Sequence, residues 1–184
     1  MGKAFFLKRD RAAAGRRIVV YVVAALALAA TLGVGPAAGA NQAADLDQCA
    51  NGTLASPQSC PPGWQNGDLN GNNSHYREGD SVPFRAVLTN LSLGSHTLVI
   101  EYDTIDTGKH AYDYLTTYNR TVGSADPCAG VATCVTGASG AIPVDPTIAF
   151  ANPSSSQVPG AISIWNGAVT GVAYGGADPR TSAR

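Results

Sequence analysis

Charged residues make up only 14% of the 184-residue sequence, and beyond residue 40 a single lysine, Lys109, remains. The other bases there are Arg77, Arg85, Arg120, Arg180 and Arg184, six in all against twelve acids, so this part carries a net charge of −6 where the whole chain carries −1. No basic patch is left to neutralise phosphates, which excludes nucleic acid as a partner. The zinc-protease pattern H-E-x-x-H and the hydrolase pattern G-x-S-x-G are both missing. The three histidines, His75, His96 and His110, form no pair with metal spacing. The acids single out no two that would serve as a glycosidase pair. Long helix-forming stretches are missing too, while Gly (21) and Pro (11) are frequent. That combination predicts strands joined by turns.

The first forty residues follow a different pattern. Lys3, Lys8, Arg9, Arg11, Arg16 and Arg17 stand against one acid, Asp10. An apolar run from Ile18 to Leu32 follows, and then Gly and Pro lead into Ala38-Gly39-Ala40. A basic segment, an apolar segment of about 15 residues and a small-x-small site form a secretory signal peptide. The run falls short of the ~20 residues that span a bilayer comfortably. Cleavage after Ala40 is therefore expected rather than a kept anchor, and a membrane is a partner only through an uncleaved leader. Arg16-Arg17 raises the twin-arginine route, but the surrounding residues match it poorly, and general secretion is expected.

All four cysteines, Cys49, Cys60, Cys128 and Cys134, follow the leader. In an oxidising compartment an even count reads as two disulfides. Three connectivities exist, of which short spacing favours Cys49–Cys60 with Cys128–Cys134. Zinc is the competing reading, but neither pair has C-x-x-C spacing.

The expected organisation is a signal-peptide helix (1–40), a polar disulfide-stapled extension (41–62), a β domain (63–175) and a frayed tail (176–184). Ser81 to Asn90 alternates, with Val82, Phe84, Ala86 and Leu88 on one face. Ser95 to Asp103 does the same with Leu98, Ile100 and Tyr102. Period two marks half-buried strands, and the short link Leu91–Gly94 predicts a hairpin. Trp64 opens a short strand. Tyr112, Leu115 and Tyr118 fall at helical spacing, which favours a short helix over Ala111 to Tyr118. Ile142 to Phe150 and Ala161 to Tyr174 are further strand candidates, the latter turning at Asn166-Gly167. Several short strands at this spacing predict an all-β fold, an immunoglobulin-like or related antiparallel β-sandwich.

Asp68-Leu-Asn-Gly-Asn72 matches the front of a calcium loop. The twelfth position, however, is Gly79 where a bidentate acid belongs. Asp68, Asn70, Asn72, Glu78 and Asp80 form a candidate calcium site, and no other cofactor is expected. The opposing reading is an Asn/Gly turn with solvated acids. Trp64, Trp165 and the tyrosines at 76, 102, 112, 114, 118 and 174 would stack on sugar rings if exposed on one surface; core packing is the ordinary use of such residues. Glycosylation sequons begin at Asn51, Asn72, Asn90 and Asn119.

The set W-Q-N-G-D-L-N-G-N-N-S-H-Y-R-E-G-D-S-V-P-F-R, L-S-L-G-S-H-T-L-V-I-E-Y-D and G-K-H-A-Y-D-Y-L-T-T-Y-N-R-T, from Trp64 to Thr121, resembles a module near the N-terminus of large secreted bacterial surface proteins. Those proteins often carry prealbumin-like (Cna-B-type) domains. The resemblance implies a bacterial β-sandwich on the cell surface, with surface proteins or glycans as partners. It implies no activity and no catalytic residues. Such modules continue with more strands beyond the equivalent of Tyr174, so the sandwich is expected to be incomplete at its C-terminus. Prealbumin-like domains often hold a Lys–Asn isopeptide bond, for which Lys109 alone gives little scope. The expected function is a secreted, non-enzymatic structural or adhesive module. The alternatives are a carbohydrate-binding module, with calcium, and a secreted hydrolase.

Overall fold

The computed structural model describes residues 4–6, 17–25, 41–106, 108–145 and 157–175. It is all-β, with no helix among the described residues, and it divides into two compact units. The cleavage site at 38–40 and the tail at 176–184 lie outside the described residues.

The first unit comprises residues 1–27, 94–116 and 136–184. Its main sheet has four strands, β1 (Ala4–Phe6), β2 (Arg17–Ala25), β8 (Ser95–Asp103) and β13 (Ala168–Gly175), in the order β1-β8-β2-β13. Strand β2 runs antiparallel to β8 from Arg17↔Asp103 to Ala25↔Ser95, and antiparallel to β13 from Val19↔Gly175 to Ala25↔Ala168. Strand β1 adds to the far edge of β8 in parallel. The described part of the expected signal-peptide helix is thus strand. Ile-Val-Val-Tyr-Val-Val is β-branched and aromatic, a composition that loses rotamer freedom in a helix and favours a pleated strand.

Leu98, Ile100 and Tyr102 share one face of β8, as expected, and are partly buried against the same core as Leu115, Ile162, Val169, Val172 and Tyr174. Val169 joins Val172 and Tyr174 because a bulge between Val169 and Gly171 shifts the alternation by one residue. Val99, pointing the other way, is only 4% exposed. Both faces of β8 are covered.

A smaller antiparallel sheet pairs β11 (Gly140–Ile142) with β12 (Gly160–Ile162). It reaches β13 through the Val169 N–H, which donates to the Ala138 carbonyl at 2.8 Å. Two-residue strands β9 (Ile105–Asp106) and β10 (Lys109–His110) form a hairpin after β8. These layers are compatible with a β-sandwich.

The second unit comprises residues 28–93 and 117–135. Its sheet has the order β6-β3-β7, with β3 (Ala43–Cys49) between β6 (Trp64–Gln65) and β7 (Phe84–Thr89). A tight hairpin pairs β4 (Gly52–Thr53) with β5 (Ser56–Pro57). The segment 41–62, expected as an appended extension, therefore supplies a central strand. The core is Cys49, Cys60 and Ala125, with Trp64, Tyr118 and Val122 packed against it.

Several expectations are corrected. Strands β7 and β8 do not form a hairpin: β7 pairs with β3 and β8 with β2. The left-handed Asn90 (φ 57°) and Gly94 (φ 131°) bracket the link that carries the chain from one sheet to the other. On β7 it is Arg85 and Val87 that turn inward, while Phe84 is 39% exposed. Arg85 is drawn in by its cross-strand partner Asp47. Ala111 to Tyr118 is irregular rather than helical up to the turn at Tyr118; its Ala111 and Tyr112 N–H groups donate to Thr104 and Asp103 and return it along the end of β8. Asn166 does adopt the left-handed turn conformation (φ 58°). The strands flanking it, however, pair elsewhere, β12 with β11 and β13 with β2. Of the expected strand from Ile142 to Phe150, Ile142 closes β11, residues 143–145 are not strand, and 146–150 lie outside the described residues.

Candidate functional site

The best-defined polar constellation is centred on Arg85. Cross-strand pairing of β3 with β7 sets Asp47 opposite Arg85. The Arg85 Nε donates to Asp47 Oδ2 at 2.9 Å, and its NH2 group lies 2.8 Å from the same oxygen. Its NH1 group donates to the carbonyls of Ala129 at 2.6 Å and Pro127 at 3.2 Å. The guanidinium also sits 4.9 Å above the Trp64 ring, in cation–π geometry. Trp64 in turn donates its Nε1–H to the Asp126 carbonyl at 2.8 Å. One arginine thereby fastens the start of the Cys128–Cys134 loop onto the sheet. Most of the guanidinium's five donors are spent on a carboxylate and two carbonyls, the arrangement of a structural clamp.

Both disulfides take the favoured pairing, Cys49–Cys60 and Cys128–Cys134, and no described cysteine is free. Cys49 and Cys60 are fully shielded from solvent. Gly63 closes against them so tightly that a Cβ there would collide with the Ala50 carbonyl and crowd the Cys60 Sγ. Two disulfides point to an oxidising, extracellular environment.

The candidate calcium residues lie in the loop between β6 and β7. Asn70 Oδ1 accepts from the Asn72 N–H at 2.9 Å, and Asn73 Oδ1 accepts from the Asn70 N–H at 2.8 Å. The Asp68 carbonyl receives the side-chain amides of Gln65, Asn70 and Asn73. Asp80 Oδ2 accepts from the Arg77 N–H at 2.9 Å. This is Asx-turn bonding, in which amide and carboxylate oxygens serve the loop's own backbone. Among the described residues no three His, Cys, Asp or Glu side chains gather closely enough to hold a metal ion, so Asp68, Glu78 and Asp80 are not brought together as a ligand group.

His75 ties this loop down, its Nδ1 lying 2.7 Å from the Gly52 carbonyl and its N–H donating to the buried Asn51 Oδ1 at 2.9 Å. His96 is half-buried in β8. Asn51, a sequon residue, is only 5% exposed and committed to His75. The aromatic rings are divided between the two units. Arg85 covers a face of Trp64, Tyr118 packs on the buried disulfide, Tyr76 donates to the Cys49 carbonyl at 3.0 Å, and Tyr114 accepts from the Val158 N–H at 3.2 Å.

No family model, curated protein or solved structure matches the chain.

Burial and the neighbouring Asp126 carboxylate both raise the Tyr118 phenol above its ordinary value near 10. A raised phenol pKa means the folded state resists losing that proton. The stabilisation is therefore complete below pH 10 and is lost as pH rises through the shifted value. The melting midpoint is expected to fall above pH 10, and Tyr118→Phe to flatten that fall. Identical alkaline profiles would remove Tyr118 as its source.

The Arg85 clamp is not legible in the sequence, because Asp47 lies in a segment expected as a polar extension. The alternation of Leu46 with Asp45 and Asp47 would turn Leu46 inward, yet Leu46 is 39% and Asp47 only 7% exposed, so no local pattern marks Asp47 as the inward residue.

Proposed function

We propose that the chain is a secreted, non-enzymatic structural or adhesive module of the bacterial exterior, folded as an immunoglobulin-like or related β-sandwich. The observation that carries this reading is the solvent-excluded Cys49–Cys60 bond at the centre of the second unit. Among the described residues, the rest of that core is Ala125, Trp64, Tyr118 and Val122. So small a core relies on crosslinks, as in secreted domains that cannot bury enough apolar surface. The leader supports export, and Arg85, His75 and the Asx-turn loop all spend their polar groups on holding loops in place, as a scaffold requires. Surface proteins or glycans are the partners such a module would meet.

Antibody labelling of intact, unpermeabilised cells is expected to mark the chain on the outside. The purified protein is expected to leave ester, peptide and glycoside substrates unturned. Turnover of any of these above background would contradict the reading, and so would labelling that requires permeabilised cells.

A further inference from the structure

We infer that Asn72 is the acceptor for an N-linked glycan, transferred to the folded chain from an oligosaccharide carried on a lipid pyrophosphate. The inference rests on the secretion reading, because the sequon is a signal used on exported chains.

The transfer sets two requirements. The asparagine Nδ2 attacks the anomeric carbon of the sugar and forms a C–N bond. The bond from that carbon to the pyrophosphate oxygen breaks, and the pyrophosphate leaves with the electron pair. The proton lost from nitrogen goes to a carboxylate of the transferase. The nitrogen must therefore be exposed and unspent, and the hydroxyl two residues on must be open to recognition.

Sequons begin at Asn51, Asn72, Asn90 and Asn119, and the fold closes three of them. Asn51 is 5% exposed, with its Oδ1 accepting from the His75 N–H. Asn90 spends the reacting nitrogen itself, since its Nδ2 donates to the Asn41 carbonyl at 3.0 Å. Asn119 is half-buried, and the two residues after it are fastened to residues 79–81. Arg120 NH1 donates to the Gly79 carbonyl at 2.9 Å, and Thr121 Oγ1 accepts from the Ser81 N–H at 2.7 Å.

Asn72 differs on each count. It is exposed, and its one hydrogen bond among the described residues comes from the backbone, whose N–H donates to Asn70 Oδ1 at 2.9 Å. A Cβ placed on the neighbouring Gly71 would meet nothing within 4 Å, so the approach is open. The turn is already shaped around this residue. The Asn70 carbonyl accepts from the Asn73 N–H at 3.0 Å, the Ser74 N–H at 2.9 Å and the Ser74 Oγ at 3.1 Å. Asn73 is tied in from both ends, its Oδ1 accepting from Asn70 and its carbonyl from the Gly52 N–H. Asn70 and Asn73 hold the turn; the Asn72 side chain holds nothing. The loop thereby presents a free amide and, two residues on, a hydroxyl with lone pairs left to accept.

The test takes the full chain, folded and oxidised, with a lipid-pyrophosphate-linked oligosaccharide and a transferase that reads N-x-S/T alone. Peptide mapping by mass spectrometry is expected to find one glycan per chain, on Asn72. Asn72→Gln and Ser74→Ala should each lose it entirely, Asn72→Gln with an unchanged melting midpoint. A reduced and alkylated chain, its fold lost, should take glycans at the other three sequons as well. No glycan on the folded chain, or one at Asn51, Asn90 or Asn119, would overturn the proposal. So would a reduced chain modified at Asn72 alone, because the fold would then not be what selects the site. In cells, exported chain with a bare Asn72 would also overturn it. Chain that never leaves the cell would instead sink the secretion reading, and the reaction with purified components would still decide the site.

Discussion

Replacing Cys49 and Cys60 together by serine is expected to destabilise the second unit by about 2–5 kcal/mol, lowering its thermal midpoint by roughly 10–20 °C. Loop closure accounts for part of this, since the bond joins residues 11 apart. Location accounts for the rest. Both sulfurs are wholly buried among Ala125, Trp64, Tyr118 and Val122, and two serine hydroxyls put there would have to find partners in an apolar site. The flanking backbone is also committed. The Cys49 N–H donates to Pro83 at 2.9 Å, and the Cys60 carbonyl accepts from Asp126 at 2.6 Å. The bond thus ties β3, the Cys60–Gly63 turn and the stretch around Asp126 to one point. The matched pair Cys128→Ser/Cys134→Ser closes a shorter loop, six residues apart, outside that core, and should cost distinctly less. Calorimetry of the two double variants decides it: equal losses would mean that burial of the first bond contributes nothing beyond loop closure.

Arg85→Met is expected to cost about 3 kcal/mol, the lower part of the range for breaking a buried ion pair, because the Arg85 side chain keeps 16% exposure. The methionine fills much of the volume but leaves Asp47 charged and shielded, and leaves the Pro127 and Ala129 carbonyls without their donor. Arg85→Lys should rescue little, since a point charge cannot span a carboxylate, two carbonyls and an indole face together. Adding Asp47→Asn to Arg85→Met should cost less than the two single losses combined. Urea denaturation measures the loss, and amide exchange across 127–134 should rise in every variant that lacks Arg85. Full stability with an unchanged loop would show that the clamp is ornamental.

What could be read from the sequence, and what could not, follows from which interactions are local. The Cys49–Cys60 and Cys128–Cys134 pairs were legible because short spacing limits their partners. The apolar face of Leu98, Ile100 and Tyr102 was legible because alternation is a property of one strand. Strand pairing is not. Ser81–Asn90 and Ser95–Asp103 carry hairpin patterns, yet each finds a longer ladder elsewhere, β7 with β3 and β8 with β2. The inward turn of Arg85 was hidden for the same reason. Its face is chosen by Asp47, 38 residues away, against the preference of Phe84 for the interior. The helical spacing of Tyr112, Leu115 and Tyr118 misled because Leu115 packs in the sheet cluster of one unit and Tyr118 on the disulfide of the other.

The decisive measurement for an exported and crosslinked module is the intact mass and N-terminal sequence of the chain recovered from outside the cell that makes it. The expected result is a chain beginning at Asn41 whose mass lacks four hydrogens relative to the fully reduced form. A chain that keeps its leader, or one that carries free thiols, would contradict it.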